Sequence, residues 1–480
     1  MIPLTVAQLA EMTGAALDQV PDPGAIVSGP VVIDSREAQP GALFAALPGT
    51  RVDGHDFAAA AVAAGATAVL ASRPVGGPAL IVSDVQAALA DLAAAVVRRL
   101  PGLTIVGITG SMGKTTTKDL TAQLVETLGP TISNRGSLNN EIGHPLTVLR
   151  VTGPTRYLIS ELSARGPGHI AALCAIAPPR LGAVLCVAHA HAGTFGGIEQ
   201  VARAKSELPA ALPAGDRGGV AVLNADDPLV LAMTAVTAAR VVTFGRSADA
   251  DVRAAGVTVD EAGRAAFTLV TPDDSAPVRL RLHGEHHVSN ALAAAALARE
   301  LGLGTDAIAA GLTQAQARSR WRMEVTRRPD GVTILNDAYN AIPEGVRAAL
   351  ATLSAMTDGG RRHRGFAVLG YMTELGDQVD EFLEEAGRLA ARAGVAGLIV
   401  VGDPAAPILT GAKAVTAWSG EMLHVPDKAA AVAALEDRLR DGDVVLVKAS
   451  HSIGLEDVAL ALTGERPLPQ QFATPPGPAL

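Results

Sequence analysis

The chain has 480 residues, of which 49% are hydrophobic and 18% charged, and it carries a formal net charge of −9. That length exceeds one ordinary core and implies two to four domains, while the apolar content excludes a disordered chain. The negative balance, with no Lys/Arg run interleaved with aromatics, excludes a nucleic-acid backbone as the main partner, so an anionic substrate needs a local basic site.

Cys174 and Cys186 are the only cysteines. Their spacing matches no zinc or redox motif, so both are expected as small buried hydrophobes in a reducing compartment. The N-terminus lacks a basic stretch followed by an apolar one, and no uncharged apolar run reaches about 18 residues. The expectation is a cytoplasmic protein without membrane insertion.

Residues 1–100 open with a short amphipathic segment and then give Val31-Val32-Ile33, a strand ending in the polar Asp34-Ser35-Arg36, followed by Ala-rich helical stretches. This reads as a small α/β domain. At Thr104–Thr109 a strand of buried type runs into a Gly-rich turn and a helix, the start of a parallel α/β domain assigned to 101–318. Further apolar strands are expected at 157–161, 181–188 and 219–223. Alternation such as Arg279-Leu280-Arg281-Leu282 makes 248–282 a region of peripheral strands, before an Ala-rich helix from Ser289 to Glu300. From 319 onward, strands at 332–336, 366–369, 397–401 and 444–448 alternate with helices at 343–356, 379–393 and 427–439. That is a third, doubly wound unit, assigned to 319–480, with a Pro-rich tail after 464 that is expected to fray. The predicted fold is α/β with three domains: a central P-loop parallel sheet, a doubly wound C-terminal domain and a smaller N-terminal one.

The segment Thr109-Gly110-Ser111-Met112-Gly113-Lys114-Thr115-Thr116 lies between strand and helix. Backbone N–H groups and the helix N-terminus there can surround a polyphosphate, with Lys114 neutralising its outer oxygens and the Thr115 hydroxyl facing Mg²⁺. The usual spacing of this motif is not met, because position 108 is Ile. ATP binding by Gly110 to Thr116 is nevertheless the reading that strand, helix and second glycine support. A nucleotide-driven switch or motor is disfavoured, since no N-K-x-D guanine motif is present.

The T-G-S-x-G-K-T form resembles the ATP loop of the Mur ligases and their folylpolyglutamate synthetase relatives, and further landmarks follow in that family's order. They are Asn139-Asn140-Glu141-Ile142-Gly143-His144-Pro145, Glu161, Ala190-His191, Ala204-Lys205-Ser206-Glu207, His286-His287-Val288-Ser289-Asn290, Trp321-Arg322-Met323-Glu324 and Asn336-Asp337-Ala338-Tyr339-Asn340. The first of these is similar to the branch that adds D-alanyl-D-alanine.

The resemblance implies roles for these positions. Lys114, Glu161, His191, Lys205 and Arg322 would form the catalytic set. Thr115, Glu161, His191 and a carbamoylated Lys205 would hold metal, with two Mg²⁺ ions expected. Asn290 would contact adenine, Arg322 the nucleotide phosphates, and Asp337, Tyr339 and Asn340 would close on the nucleotide. Asn139 and Asn140, and Ser35 and Arg36 in the first domain, would contact substrate, the latter pair the uridine nucleotide. Without the resemblance, Lys205 reads as a solvated helix charge, and His189 is left as structural.

The implied reaction joins D-alanyl-D-alanine to UDP-MurNAc-tripeptide through an acyl phosphate, by a monomer. Several positions depart from the family pattern: His287 and Ile342 each replace an Asn, Tyr371 a Glu and His451 an Arg, and no His occurs in Glu381-Phe382-Leu383-Glu384-Glu385. Most lie in the third domain, which handles the incoming amine. The alternative is therefore a paralogue that joins a different amino acid or dipeptide to a carboxylate.

Overall fold

The apolar run Thr104–Thr109 lies inside a nine-stranded sheet of the computed structural model, which describes residues 1–49, 52–189 and 195–465. The strand order is Ser275–His283, Arg264–Val270, Val252–Val259, Arg240–Gly245, Val220–Asn224, Leu181–Val184, Thr104–Thr109, Tyr157–Glu161 and Thr131–Ser133. Pairing is parallel from Thr131–Ser133 as far as Val252–Val259 and antiparallel through the last two strands. The inner parallel strands Val220–Asn224, Leu181–Val184, Thr104–Thr109 and Tyr157–Glu161 read as near-continuous apolar runs because helices cover both faces. Ser275–His283 instead alternates exposed and buried residues, as an edge hairpin facing water on one side must.

The helix Lys114–Val125 packs against His287–Glu300. The latter is enclosed on all sides, with Ala291–Ala298 fully buried, and so lacks the polar face of a surface helix.

A second sheet runs Glu324–Arg327, Thr333–Asn336, Val444–Lys448, Gly365–Leu369, Gly397–Val401 and Glu421–Val425, parallel except for its first, antiparallel edge. Helices Pro343–Thr357 and Val379–Arg392 cover it where the periodicity placed them. The N-terminal sheet has the order Ala16–Asp18, Ala79–Ile81, Ala68–Ala71, Leu43–Ala45 and Val31–Val32. Its helix Val85–Arg98, capped by Asp84, buries Leu89, Leu92 and Val96 in one cluster with Ile105 and Leu158 of the central sheet and with Val148 and Leu149 at the end of the helix Gly143–Val148. The N-terminal sheet is thus seated on the nine-stranded unit by a shared core rather than by a linker alone.

Two sequence expectations change. The strand expected at 181–188 ends at Val184, because Leu185 to Ala188 leave the sheet and bond the phosphate loop instead: Ser111 N–H donates to Cys186 O (2.9 Å) and Ala188 N–H to Ser111 Oγ (2.9 Å). The edge strands Thr131–Ser133, Glu324–Arg327 and Glu421–Val425 were not anticipated; each is short and mostly half-exposed, so no apolar run marks it. The Pro-rich tail falls outside the described residues. Among those described, no helix is long and apolar enough to cross a membrane.

Candidate functional site

The chain leaves the sheet at Thr109 and turns through Gly110 (φ 153°) and Gly113 (φ 78°) into the helix that begins at Lys114. No side chain caps that helix, so its first N–H groups stay available to an anion. Gly113 also has no room for a side chain, since a Cβ there would lie 2.2 Å from Asn290 Oδ1. Lys114 Nζ donates to Gly110 O (2.8 Å), folding back over the loop. Burial pulls its pKa down, opposed by the nearby Glu161 carboxylate.

Glu161 ends its strand beside Ile108 and is 1% exposed. Asn139 Nδ2 donates to its Oε1 (2.6 Å) and Glu161 N–H donates to Asn134 Oδ1 (2.7 Å). Its Oε2 is buried with no partner, and so is Thr115 Oγ1. Buried oxygens left unsatisfied next to a phosphate loop fit a hard cation that takes its remaining ligands from water and phosphate. Among the described residues no group of three His, Cys, Asp or Glu side chains converges on one point.

Lys205, on the helix Ile198–Ala211, is 4% exposed rather than solvated. Burial first, and the Lys114 charge second, bring its pKa down to about 7. A large neutral fraction near pH 7 is what carbamoylation by CO₂ requires, because only the unprotonated amine is nucleophilic. His191 lies outside the described residues. Cys174 is buried as expected and burial pushes its thiol pKa up to about 12, whereas Cys186 is only partly buried, its thiol pKa also raised by desolvation.

From the C-terminal side, the Arg322 guanidinium lies over the Tyr339 ring, 3.9 Å from its centroid, with Nη2 3.5 Å from Ser137 Oγ and Nε buried without an acceptor. Arg322 also lines a water-sized cavity of about 10 Å³ together with Thr116, Asp119, His287, Gln316 and Ser319. Asn290 Nδ2 donates to His287 Nδ1 (3.1 Å), and Thr117 Oγ1 lies 3.5 Å from Asn290 Oδ1.

The other expected contacts are placed as follows. Asp337 accepts from Met323 N–H (3.0 Å) and from Lys448 Nζ (2.5 Å), while Asn340 Oδ1 accepts from Ala341 N–H (2.9 Å). Asn140 Oδ1 accepts from Gly143 N–H (2.9 Å) and so shapes the turn after Asn139. Arg36 pairs with Asp34 (2.5 Å), its side chain 73% exposed, and Ser35 begins the short turn that Asp34 caps. Nothing packs Arg36 away from a ligand. These residues do not form one cluster: Lys114, Glu161, Lys205 and Arg322 act electrostatically on one another or through Lys114, whereas Ser35 and Arg36 belong to the separate N-terminal sheet.

The departures from the family pattern have structural partners. Ile342 is buried with Ala188 against Met112 of the phosphate loop, where an amide would have to be solvated. His451 stacks on Tyr339 at 5.1 Å and 10°, and burial, then the Arg322 charge, holds its pKa below the usual range. Tyr371 packs against the core of the C-terminal sheet. Lys448, buried at the end of its strand, carries no role in the family pattern described above. The signal available was one Lys closing the apolar run Val444–Val447.

Three family models match the chain in order: "Mur ligase family, catalytic domain" over 30–104, "Mur ligase middle domain" over 108–298, and "Mur ligase, glutamate ligase domain" over 321–451. A protein of Mycobacterium tuberculosis named UDP-N-acetylmuramoyl-tripeptide--D-alanyl-D-alanine ligase is 48% identical, covering 97% of this chain and 98% of that protein. The protein of that name from Escherichia coli is 37% identical, with 96% and 99% covered. Among solved structures, MurF from Acinetobacter baumannii matches with a TM-score of 0.84 at 30% identity over 96% of this chain and 99% of that one. MurF ligase from Thermotoga maritima in complex with ADP matches with a TM-score of 0.78 at 30% identity, covering 92% and 98%.

Proposed function

Because the chain belongs to the Mur ligase family, we propose that it joins D-alanyl-D-alanine to UDP-MurNAc-tripeptide in an ATP-dependent step that forms the UDP-MurNAc-pentapeptide precursor of peptidoglycan. The observation that carries this is nearly end-to-end identity of 48% with a protein named for that reaction. The closed phosphate loop, with its orphan Thr115 and Glu161 oxygens, supports the ATP half.

A carboxylate is not displaced by an amine until its oxygen has become part of a better leaving group. A donor carboxylate oxygen attacks the γ-phosphorus and ADP departs, giving an acyl phosphate. The amine nitrogen then attacks the acyl carbon, phosphate leaves and the nitrogen loses a proton. Lys114, the uncapped helix N-terminus and Arg322 stabilise charge on the transferred phosphoryl oxygens. Thr115 and Glu161 would hold Mg²⁺, which when bound neutralises phosphate charge. A second ion held by His191 and carbamoylated Lys205 belongs to the same proposal.

Asn139 orients Glu161. Asn290, close against Gly113, would contact the adenine, and Asp337, Tyr339 and Asn340 would close on the nucleotide from the C-terminal side. Ser35 and Arg36 receive the uridine diphosphate end, and Asn140 shapes the turn beside the donor peptide. The domain division at 1–100, 101–318 and 319–480, a monomeric state and a cytoplasmic location complete the reading. Burying Ile342 against Met112 excludes water from the acyl phosphate when the C-terminal unit is closed.

The test is ATP-dependent phosphate release with UDP-MurNAc-tripeptide, with and without D-alanyl-D-alanine, together with the product mass. Release that depends on the dipeptide and gives the pentapeptide mass supports the reading. Release only with another amine would favour the paralogue that Ile342, Tyr371 and His451 first suggested.

A further inference from the structure

Arg322 is carried on a turn that ordinary backbone avoids. Trp321 and Met323, on either side of it, have φ of 61° and 53°. For residues with a bulky Cβ substituent this left-handed region is strained, and strain persists only where neighbouring bonds over-determine it. Three bonds do so here. Trp321 N–H donates to Glu324 Oε2 (2.9 Å), Tyr339 N–H donates to Trp321 O (3.2 Å), and Met323 N–H donates to Asp337 Oδ1 (3.0 Å).

The third bond depends on a residue far along the chain. Lys448 is 4% exposed at the end of Val444–Lys448, which pairs in parallel with Thr333–Asn336. Its Nζ donates to Asp337 Oδ2 (2.5 Å), Asn340 O (2.8 Å) and Asp337 O (3.3 Å), and Asp337 N–H donates to Val447 O (2.9 Å). An ammonium has three protons, and these three acceptors can take them all, so Lys448 is spent within the chain rather than on a substrate.

What the turn presents is the reverse. Arg322 Nε is a buried donor without an acceptor, and the guanidinium lies close enough to Lys114 to lower its pKa. Two cations held together, one with an unused donor, call for an anion between them.

We propose that Lys448 is a positioning residue that acts through Asp337, locking the strained Trp321–Met323 turn so that Arg322 points at the transferred phosphoryl group. The inference rests on the ligase reading for the identity of that group. It assigns Asp337 a role within the chain, as the link between the two strands and the turn.

The experiment is a double-mutant cycle on the full-length protein with Lys448→Met, Arg322→Met and the double variant, measuring steady-state turnover and, by calorimetry, ATP affinity. Lys448→Met should lower kcat on the order of 10- to 100-fold, as misplacement of a charge-stabilising group does. The KM values for the UDP-peptide and the dipeptide should stay within about threefold of the wild type, because the contact that is lost is to the phosphoryl end of ATP and not to either of these substrates. In the Arg322→Met background, Lys448→Met should add almost nothing.

Additive losses, or full activity in Lys448→Met, would overturn the proposal. If Lys448→Met no longer melts cooperatively, Asp337→Asn replaces it in the cycle, since Asn keeps the Oδ1 acceptor for Met323 N–H but removes the charge that Lys448 holds. The same non-additivity is then required. A wild type that binds ATP but does not turn over speaks against the ligase reading alone; the cycle is then decided on ATP affinity, where additive losses still overturn the positioning role.

Discussion

The imidazole of His189 and the carboxylate of Glu344 meet at 2.6 Å, joining the segment after the central strand Leu181–Val184 to the first turn of the C-terminal helix Pro343–Thr357. Each side chain is about one-third exposed, so the pair contributes at most about 1 kcal/mol. Beside it lies the apolar contact of Ile342 with Ala188 and Met112. Together they hold the C-terminal unit against the phosphate loop. His189→Ala should therefore shift the closed population by up to about fivefold and lower kcat by a similar factor, with little change in melting temperature. Turnover beside small-angle scattering of the nucleotide-bound protein checks this: an unchanged radius with unchanged kcat would remove the latch.

Asn139 is the residue that orients Glu161. Asn139→Ala removes a bond to a buried carboxylate, an effect of about 1.5–3 kcal/mol. The Mg²⁺ concentration for half-maximal phosphate release should rise by roughly 10- to 100-fold, by the same free energy. A Mg²⁺ titration identical to the wild type would show that Glu161 needs no such support.

Gly113 combines a φ of 78° with the Asn290 side chain 2.2 Å from where a Cβ would lie. Gly113→Ala meets left-handed strain of about 1–2 kcal/mol as well as that collision, and only a shift of the loop or of Asn290 relieves it. ATP affinity measured by calorimetry should fall by at least about tenfold. Retained affinity would mean that the loop is looser than its geometry indicates.

His144 is fully buried, and burial holds its pKa near 4, against 6.5 when unfolded. Between those values the unfolded chain binds the proton and the folded chain does not, so stability rises with pH through the window and is lost as pH falls from about 6.5 to about 4. The gap corresponds to about 3 kcal/mol. Burial shifts His286 and His287 in the same direction and adds to the slope. In urea unfolding at pH 7 and pH 5, His144→Leu should lose less stability on acidification than the wild type. Equal losses would place the acid sensitivity elsewhere.

The sequence alone determined what depends on local pattern. Apolar runs and their turns located the main parallel strands at 104–109, 157–161, 332–336 and 444–448, because a strand buried on both faces leaves a mark that neighbours cannot erase. The strand, Gly-rich turn and helix around Lys114 placed the phosphate loop, since its glycine conformations are written into a few consecutive residues.

Only the tertiary structure decided which side chains meet. Lys205 reads as a solvated charge on its helix and is buried, because the helix face it occupies is covered by segments distant in sequence. Asn139 reads as a substrate contact and holds Glu161, 22 residues away. Lys448 and Asp337 stand 111 residues apart, yet their ion pair pins the turn on which Arg322 is presented. Periodicity reports whether a residue faces the interior. It carries no record of the residue across the fold, because that neighbour is chosen by strand order and by how the sheets dock.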